Sequence, residues 1–177
     1  MDNVDFYLED LKSKFRKIDP NDYYLSYSGG KDSHLLYWFI KEYAPEFKYI
    51  MVVGINTYME HPQIRKRIYD NCDKVLLPKM KPFEIKEQYG IPCFTKIQDE
   101  MIYRYQKGLR TPSTMQFIMG TKNNGHTMFK LSNLARQLLL GGELHRVSAK
   151  CCDMLKKAPA KEYQKQTKKK PILRSQR

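Results

Sequence analysis

The sequence feature that most constrains the fold is a glycine-rich turn between a short apolar run and an amphipathic helix. The stretch reads Y-L-S-Y-S-G-G-K-D-S-H over residues 24–34, and apolar residues return directly after it in L-L-Y-W-F-I. A short apolar run, two glycines and then helical periodicity predict a strand, a tight turn and a helix. The turn is therefore expected at the end of a strand and the beginning of a helix.

Apolar strands and helical segments alternate along the first half of the chain. Residues 49–55 form a continuous apolar run, which is typical of a strand that helices cover on both faces. The other predicted strands are residues 23–27 and 75–77, and helical spacing is found at residues 4–18, 34–43, 62–69 and 82–89. This alternation predicts an α/β fold with a doubly wound, mostly parallel, Rossmann-like sheet and flanking helices.

The second half of the chain has a different character. Residues 97–105 and 128–140 predict helices, and the polar stretch between 111 and 125 predicts a loop or lid. Residues 149–157 predict a further helix. The C-terminal part is therefore expected to be helical.

The basic residues are concentrated towards the C-terminus. The net charge is +13, and ten Lys and Arg stand against two acidic residues between 150 and 177. Nearly all residues beyond Pro159 are polar, and we expect them to be poorly ordered unless a partner holds them. The predicted organisation is one domain over residues 1–159 and a basic tail over residues 160–177. The tail either contacts nucleic acid or another polyanion, or is solvated without a partner.

The composition indicates a globular protein, with 41% hydrophobic and 29% charged residues. No apolar run approaches the roughly 18 residues of a membrane span, and the N-terminus is acidic where a signal peptide is basic. We therefore expect a cytoplasmic protein without membrane contact. The four cysteines include an adjacent pair and do not indicate a disulfide framework, which leaves reduced thiols, a metal or a cluster. Cys72 and Cys93 are expected to be small buried hydrophobes.

The turn itself has the chemistry of a phosphate site. Gly29 and Gly30 lack the Cβ atoms that would keep a phosphate away from the backbone, and the helix N-terminus attracts anions. Lys31 adds a positive charge, and Ser28 and Ser33 add hydroxyl groups. The spacing differs from that of the Walker A loop, G-x-x-x-x-G-K-[ST].

The whole turn, S-G-G-K-D-S at residues 28–33, resembles the PP-loop of the adenine nucleotide α-hydrolase superfamily. Other segments resemble the phosphoadenosine phosphosulfate (PAPS) reductase-like family of that superfamily. They are, in family order, I-N-T-Y-M-E-H-P at residues 55–62, K-E-Q-Y-G-I-P at residues 86–92 and A-K-C-C-D-M-L-K-K-A-P at residues 149–159. The resemblance extends from residue 22 to about residue 172.

The resemblance implies that the turn binds the phosphates, or the sulfate, of an adenine nucleotide, either ATP or PAPS, with Mg²⁺ as a cofactor. The implied binding residues are Ser28, Gly29, Gly30, Lys31, Asp32, Ser33, Asn56, Thr57, Glu60 and Lys150, and the implied catalytic residues are Lys31, Asp32 and Ser33. Asp32 either caps the helix or helps to hold Mg²⁺. Asn56 stands where the family commonly has aspartate. Glu60 either serves the nucleotide site or caps the helix that begins at Pro62.

The resemblance also bears on the adjacent cysteines. Cys151 and Cys152 resemble the first half of the iron–sulfur site of adenylylsulfate reductases, which requires four thiolates, whereas this sequence lacks the downstream C-x-x-C. The family's C-terminal E-C-G-x-H-like segment and its G-x-x-x-x-E-S-x-x-R segment also lack a counterpart after Ile172.

Three functions are therefore expected as alternatives. The first is an enzyme that cleaves ATP between the α and β phosphates and adenylates a substrate. The second is a sulfonucleotide reductase that acts on PAPS or adenylylsulfate. The third is a non-catalytic nucleotide- or nucleic-acid-associated module with a shortened C-terminus.

Overall fold

The computed structural model describes residues 3–121 and 131–173. The described residues divide into two compact units. Residues 3–79 and 156–173 form the first unit, and the described residues between 80 and 155 form the second. The first unit carries a parallel sheet with helices, and the second is mainly helical.

The sheet of the first unit has the strand order β3-β2-β1-β4, and all of its paired strands are parallel. The strands are β1 (Tyr23–Tyr27), β2 (Val52–Ile55), β3 (Lys74–Leu76) and β4 (Lys170–Ile172). Because the chain proceeds from β1 to β3 in one direction and then crosses to β4 on the other side of β1, the strand order reverses at β1. This arrangement confirms the prediction of an α/β, Rossmann-like fold.

The helices alternate with these strands and then dominate the second unit. In chain order, the helices of the described residues are α1 (Asn3–Phe15), α2 (Lys31–Tyr43), α3 (Pro62–Asn71), α4 (Pro82–Tyr89), α5 (Lys96–Gln106), α6 (Pro112–Met119), α7 (Asn133–Leu140), α8 (Lys150–Cys152) and α9 (Ala158–Thr167). Four of them begin with proline at one of their first two positions, where its missing N–H is not needed. None of the helices described here is both long and apolar enough to cross a membrane.

Side chains alternate between the two faces of β1 and form a separate core on each face. Leu25 and Tyr27 point to one face and join a cluster with Phe39 and Ile40 of α2 and Ile68 of α3. Each of these five side chains is at most 1% exposed. Burial of aromatic and aliphatic side chains stabilises a fold by about 1.5–3 kcal/mol each, so this cluster holds α2 and α3 against the sheet.

The opposite face of the sheet is covered by α9. Tyr24 of β1 and Tyr163 of α9 pack edge to face, with ring centroids 5.1 Å apart, and Val53 of β2 joins them. The Tyr24 hydroxyl also accepts a hydrogen bond of 3.1 Å from Nε2 of Gln164. Residues from the C-terminal part of the chain therefore complete the core of the first unit.

The second unit has its own apolar core. Ile102, Ile118, Leu131, Leu139 and Val147 form one buried cluster. Three of its helices begin at side chains that accept backbone N–H groups: Thr95 before α5, Thr111 before α6 and Ser132 before α7.

The prediction of a loop or lid between residues 111 and 125 was wrong for its first part. Residues 112–119 form α6, because Thr111 caps its first turn and Pro112 fits the first helical position. The predicted helix at residues 128–140 begins only at Asn133, and its first three residues lie outside the described part of the chain. Asn123, Asn124 and Gly125 lie outside it as well.

The prediction of a poorly ordered segment beyond Pro159 was wrong for residues 160–173. Most of these residues belong to α9 and β4, and Tyr163 is 5% exposed. Leu25 of β1 lies opposite Ile172 of β4, so the sheet itself orders the chain here. The chain enters α9 through a π turn at Asp153–Lys157. Pro159 accounts for this turn, because it offers no N–H to the carbonyl group four residues earlier.

Candidate functional site

The glycine-rich turn lies at the carboxyl end of β1. The strand ends at Tyr27, and α2 begins at Lys31. In open α/β sheets ligands bind beyond the carboxyl ends of the strands, where the strand order reverses. Residues 28–33 occupy that position beside β1. They are called the phosphate loop from here on, after the ligand that the sequence predicts.

Hydrogen bonds within the phosphate loop fix its shape. The Ser28 N–H donates to Oγ of Ser33 over 3.2 Å, and the two hydroxyl oxygens lie 3.1 Å apart. The Ser33 hydroxyl in turn donates to the carbonyl oxygen of Gly30 over 3.0 Å. Ser33 therefore braces the loop from inside, whereas the side chain of Ser28 is exposed.

Gly29 allows the loop to lie close to α3. Its φ of +74° is in the left-handed region, which glycine adopts at little cost. A Cβ at this position would lie 3.0 Å from both Cγ2 and the carbonyl oxygen of Ile64. The backbone thus approaches α3 more closely than a larger residue would permit.

The beginning of α2 provides positive electrostatic potential. Gly30 is the N-cap of this 13-residue helix and provides no side-chain cap, so Asp32 lies in the first turn and is not the N-cap residue. The first turn of a helix presents N–H groups that no carbonyl of the helix accepts, and the helix dipole adds to their positive potential. Lys31 is exposed at this end and adds a full charge, and Asp32 is half-buried beside it.

An aromatic pair next to the loop was not anticipated from the sequence. Oη of Tyr27 lies 2.9 Å from Nδ1 of His34, and the His34 ring stacks on Tyr37 at an interplanar angle of 17°. Burial raises the pKa of the Tyr27 hydroxyl above its usual value, and the other contributions are smaller. His34 is exposed and follows Ser33 directly in the sequence. Its position after the S-G-G-K-D-S motif is the only sequence signal that could have indicated a place beside the loop.

The residues that follow β2 form a second polar cluster in the first unit. Asn56 is 4% exposed, and its Nδ2 donates to Oη of Tyr69 while its Oδ1 accepts from the Tyr58 N–H. Thr57 donates from N and Oγ1 to the two carboxylate oxygens of Glu60, over 2.9 and 2.5 Å. Glu60 thus braces this turn.

The capping role considered for Glu60 was wrong, because the N-cap of α3 is His61. Nδ1 of His61 accepts a hydrogen bond of 3.3 Å from the N–H of Gln63. The sheet places the phosphate loop and the polar residues that follow β2 at the same edge. Tyr27 lies opposite Gly54, near the carboxyl ends of the adjacent parallel strands β1 and β2.

Lys150, Cys151 and Cys152 lie in the second unit, in α8. Nζ of Lys150 lies 5.8 Å from the centroid of the Tyr103 ring, within the range of a cation–π interaction. Cys151 is half-buried and Cys152 is exposed, and no disulfide joins any of the four cysteines.

The residues present do not fit an iron–sulfur cluster. A cluster requires four thiolates around one site. Across residues 3–121 and 131–173, the His, Cys, Asp and Glu side chains do not gather in any group of three or more that could hold a metal ion. Cys151 and Cys152 by themselves supply only two of the four thiolates.

Cys72 was predicted to be a small buried hydrophobe, and the structure places it partly buried at the core of the first unit. A Cβ on Gly54 would lie 2.8 Å from its sulfur. Burial, followed by the charge of Asp73, raises the pKa of the Cys72 thiol from 9.0 to about 12.

Cys72 is therefore expected to resist alkylation in the folded protein. The thiolate is the reactive form of cysteine, and a pKa of about 12 leaves very little thiolate at mildly alkaline pH. Iodoacetamide should modify the exposed Cys152 and leave Cys72 unmodified until a denaturant is added, as measured by peptide mass spectrometry. Modification of both residues at the same rate in the native protein would contradict this expectation.

The prediction that Cys93 is a small buried hydrophobe was wrong, because its side chain is exposed. Its sulfur lies 2.9 Å from Nε2 of His145. The sequence offers no local signal for this pair, since 52 residues separate its members.

Comparisons with known proteins provide no relative for this chain. No family model matches it, and neither the curated proteins nor the solved structures contain a match.

Proposed function

We propose that the first unit binds the phosphates of ATP in the phosphate loop and cleaves ATP between the α and β phosphates to adenylate a substrate. The observation that carries this proposal is the closed loop at the carboxyl end of β1. It combines a glycine with φ of +74°, an N-cap without a side chain and an exposed lysine at the beginning of α2.

The geometry favours a phosphate over a neutral ligand. Backbone N–H groups at a helix N-terminus and an ammonium group beside them attract a multiply charged anion. Gly29 and Gly30 allow such an anion to approach the backbone closely. The choice of an adenine nucleotide rests on the resemblance of residues 28–33 to the PP-loop.

In the proposed reaction, a nucleophilic oxygen of the substrate attacks the α-phosphorus. The bond between the α-phosphorus and the bridging oxygen breaks, and pyrophosphate leaves with the bonding electrons. Lys31 and the first N–H groups of α2 would stabilise the negative charge that develops on pyrophosphate. Asp32, half-buried in the first turn of α2, is the residue that would hold Mg²⁺, whose charge would neutralise the phosphate oxygens further.

Calorimetric titration with ATP, PAPS and adenylylsulfate, each with and without Mg²⁺, tests the proposed ligand. We expect ATP to bind more tightly with Mg²⁺ than without it. Turnover with a suitable acceptor should yield pyrophosphate and an acceptor that carries the AMP group, whereas ADP and phosphate would indicate cleavage at the wrong bond. Failure of ATP to bind under either condition would contradict the proposal.

The same titration separates the alternatives. Binding of PAPS in place of ATP, with release of sulfite when thioredoxin is supplied, would favour a sulfonucleotide reductase. Binding of DNA or RNA that weakens with added salt, together with no nucleotide binding, would favour the non-catalytic module.

A further inference from the structure

A thiol and an imidazole meet at the surface of the second unit. Sγ of Cys93 and Nε2 of His145 lie 2.9 Å apart, and both residues are exposed. A nucleophile and a base within hydrogen-bonding distance of each other are the basic requirement for an activated thiol.

The backbone around this pair is held by contacts between distant segments. Ile91 and Val147 form a parallel bridge. The Ile91 N–H donates to the carbonyl oxygen of Arg146 over 3.1 Å, and the Ser148 N–H donates to the carbonyl oxygen of Ile91 over 3.1 Å. These bonds fix the segment that carries Cys93 beside the segment that carries His145.

Side chains of α5 hold both segments as well. Gln106 donates from Nε2 to the His145 carbonyl oxygen over 2.8 Å and accepts from the Val147 N–H over 2.9 Å. Asp99, which is 1% exposed, accepts the N–H groups of Cys93 and Phe94 on Oδ1, over 3.2 and 2.9 Å. The pair therefore belongs to a braced part of the unit.

The electrostatic surroundings decide how the thiol would react. Burial, followed by the nearby Asp99 carboxylate, raises the pKa of the Cys93 thiol above its usual value. The thiol is then mostly protonated at neutral pH, so attack requires a base that removes the proton during the reaction. His145 is in contact with the sulfur and fits that role when Nδ1 carries the ring proton.

We propose that Cys93 and His145 form a reactive pair that exchanges with small disulfides, a role independent of the nucleotide site. His145 accepts the thiol proton while Sγ of Cys93 attacks one sulfur of the disulfide. The new bond joins Cys93 to that sulfur, the original S–S bond breaks, and the departing thiolate takes the proton from His145. The products are a mixed disulfide on Cys93 and one free thiol.

The contacts favour disulfide exchange over acyl transfer. An acyl-transfer site needs hydrogen-bond donors for an oxyanion, and these are often backbone N–H groups close to the nucleophile. The N–H groups of Cys93 and Phe94 both donate to Asp99. Disulfide exchange needs only access to the sulfur and a proton acceptor, and the exposed pair offers both.

Oxidised glutathione provides a suitable probe for the full chain. Brief exposure, acid quenching and peptide mass spectrometry give the rate of mixed-disulfide formation at each cysteine. We expect Cys93 to react at least about tenfold faster than Cys152, an exposed thiol in the same unit, because general-base assistance accelerates the attack. A ratio near one in the wild-type protein would overturn the proposal without the need for a variant.

The variant His145→Gln keeps a polar side chain of similar reach but cannot accept and return the proton. It should lower the rate at Cys93 about tenfold and leave the rate at Cys152 unchanged. Circular dichroism and the thermal midpoint check that the variant is folded. An unchanged rate at Cys93 in the folded variant would also overturn the proposal.

Discussion

Replacing Lys31 with alanine is expected to weaken the binding of ATP about 10- to 100-fold. A hydrogen bond to a charged group contributes about 1.5–3 kcal/mol, and each 1.4 kcal/mol changes an affinity about tenfold. The rate of pyrophosphate formation should fall by about a hundredfold, because the charge on the leaving group loses a stabilising partner. Calorimetry and product analysis measure the two effects.

Lys17→Ala provides the matched control for this experiment. Lys17 is also an exposed lysine of the first unit, and its removal changes the net charge by the same amount. The thermal midpoint should stay within a few degrees of wild type for both variants, since exposed side chains contribute little to stability. Equal ATP affinity in Lys31→Ala and Lys17→Ala would show that the phosphate loop is not the nucleotide site.

Replacing Gly90 with alanine is expected to destabilise the second unit by about 3 kcal/mol or more. Gly90 has φ of +94° and ψ of −174°, a region almost restricted to glycine. A Cβ at this position would lie 2.1 Å from the carbonyl oxygen of Arg146, which is backbone and cannot rotate away. The substitution would also disturb the contact that holds His145 beside Cys93.

Gly108→Ala separates the steric clash from the backbone strain as causes of this loss of stability. Gly108 also has a positive φ, +81°, but a Cβ there would meet nothing within 4 Å. Only the backbone strain is added, so the expected loss is about 1 kcal/mol. Chemical denaturation followed by circular dichroism gives both values, and fluorescence of Trp38, the single tryptophan, reports on the first unit. Similar losses in the two variants would rule out the steric explanation for Gly90.

Local sequence signals predicted the elements that depend on local physics. The bounds of β1 and α4 agree with the prediction to the residue, because apolar runs, glycines and prolines act over a few residues. The loop between β1 and α2 was found for the same reason. By contrast, the apolar run at residues 49–55 predicted too long a strand, since Tyr49 is 91% exposed before β2 begins at Val52.

Elements that depend on distant partners were not predicted. β4 reads K-P-I, a sequence with no strand signal, and its pairing with β1 makes it a strand. Tyr163 looked like part of a polar tail, yet it packs on Tyr24. Poor order beyond Pro159 was predicted from the high charge of that segment. Its few apolar residues, such as Tyr163, decide how it packs on the sheet.

The candidate sites also differ in whether local sequence or distant contacts determine them. The sequence by itself determined the phosphate loop, because glycines, a lysine and serines in consecutive positions specify the backbone and the charge at the beginning of α2. Only the tertiary structure decided that Tyr163 packs on Tyr24 and that Cys93 meets His145, 52 residues further along the chain. The physical reason is that side-chain contacts depend on how segments far apart in sequence pack together, as at the close approach of Gly90 to Arg146.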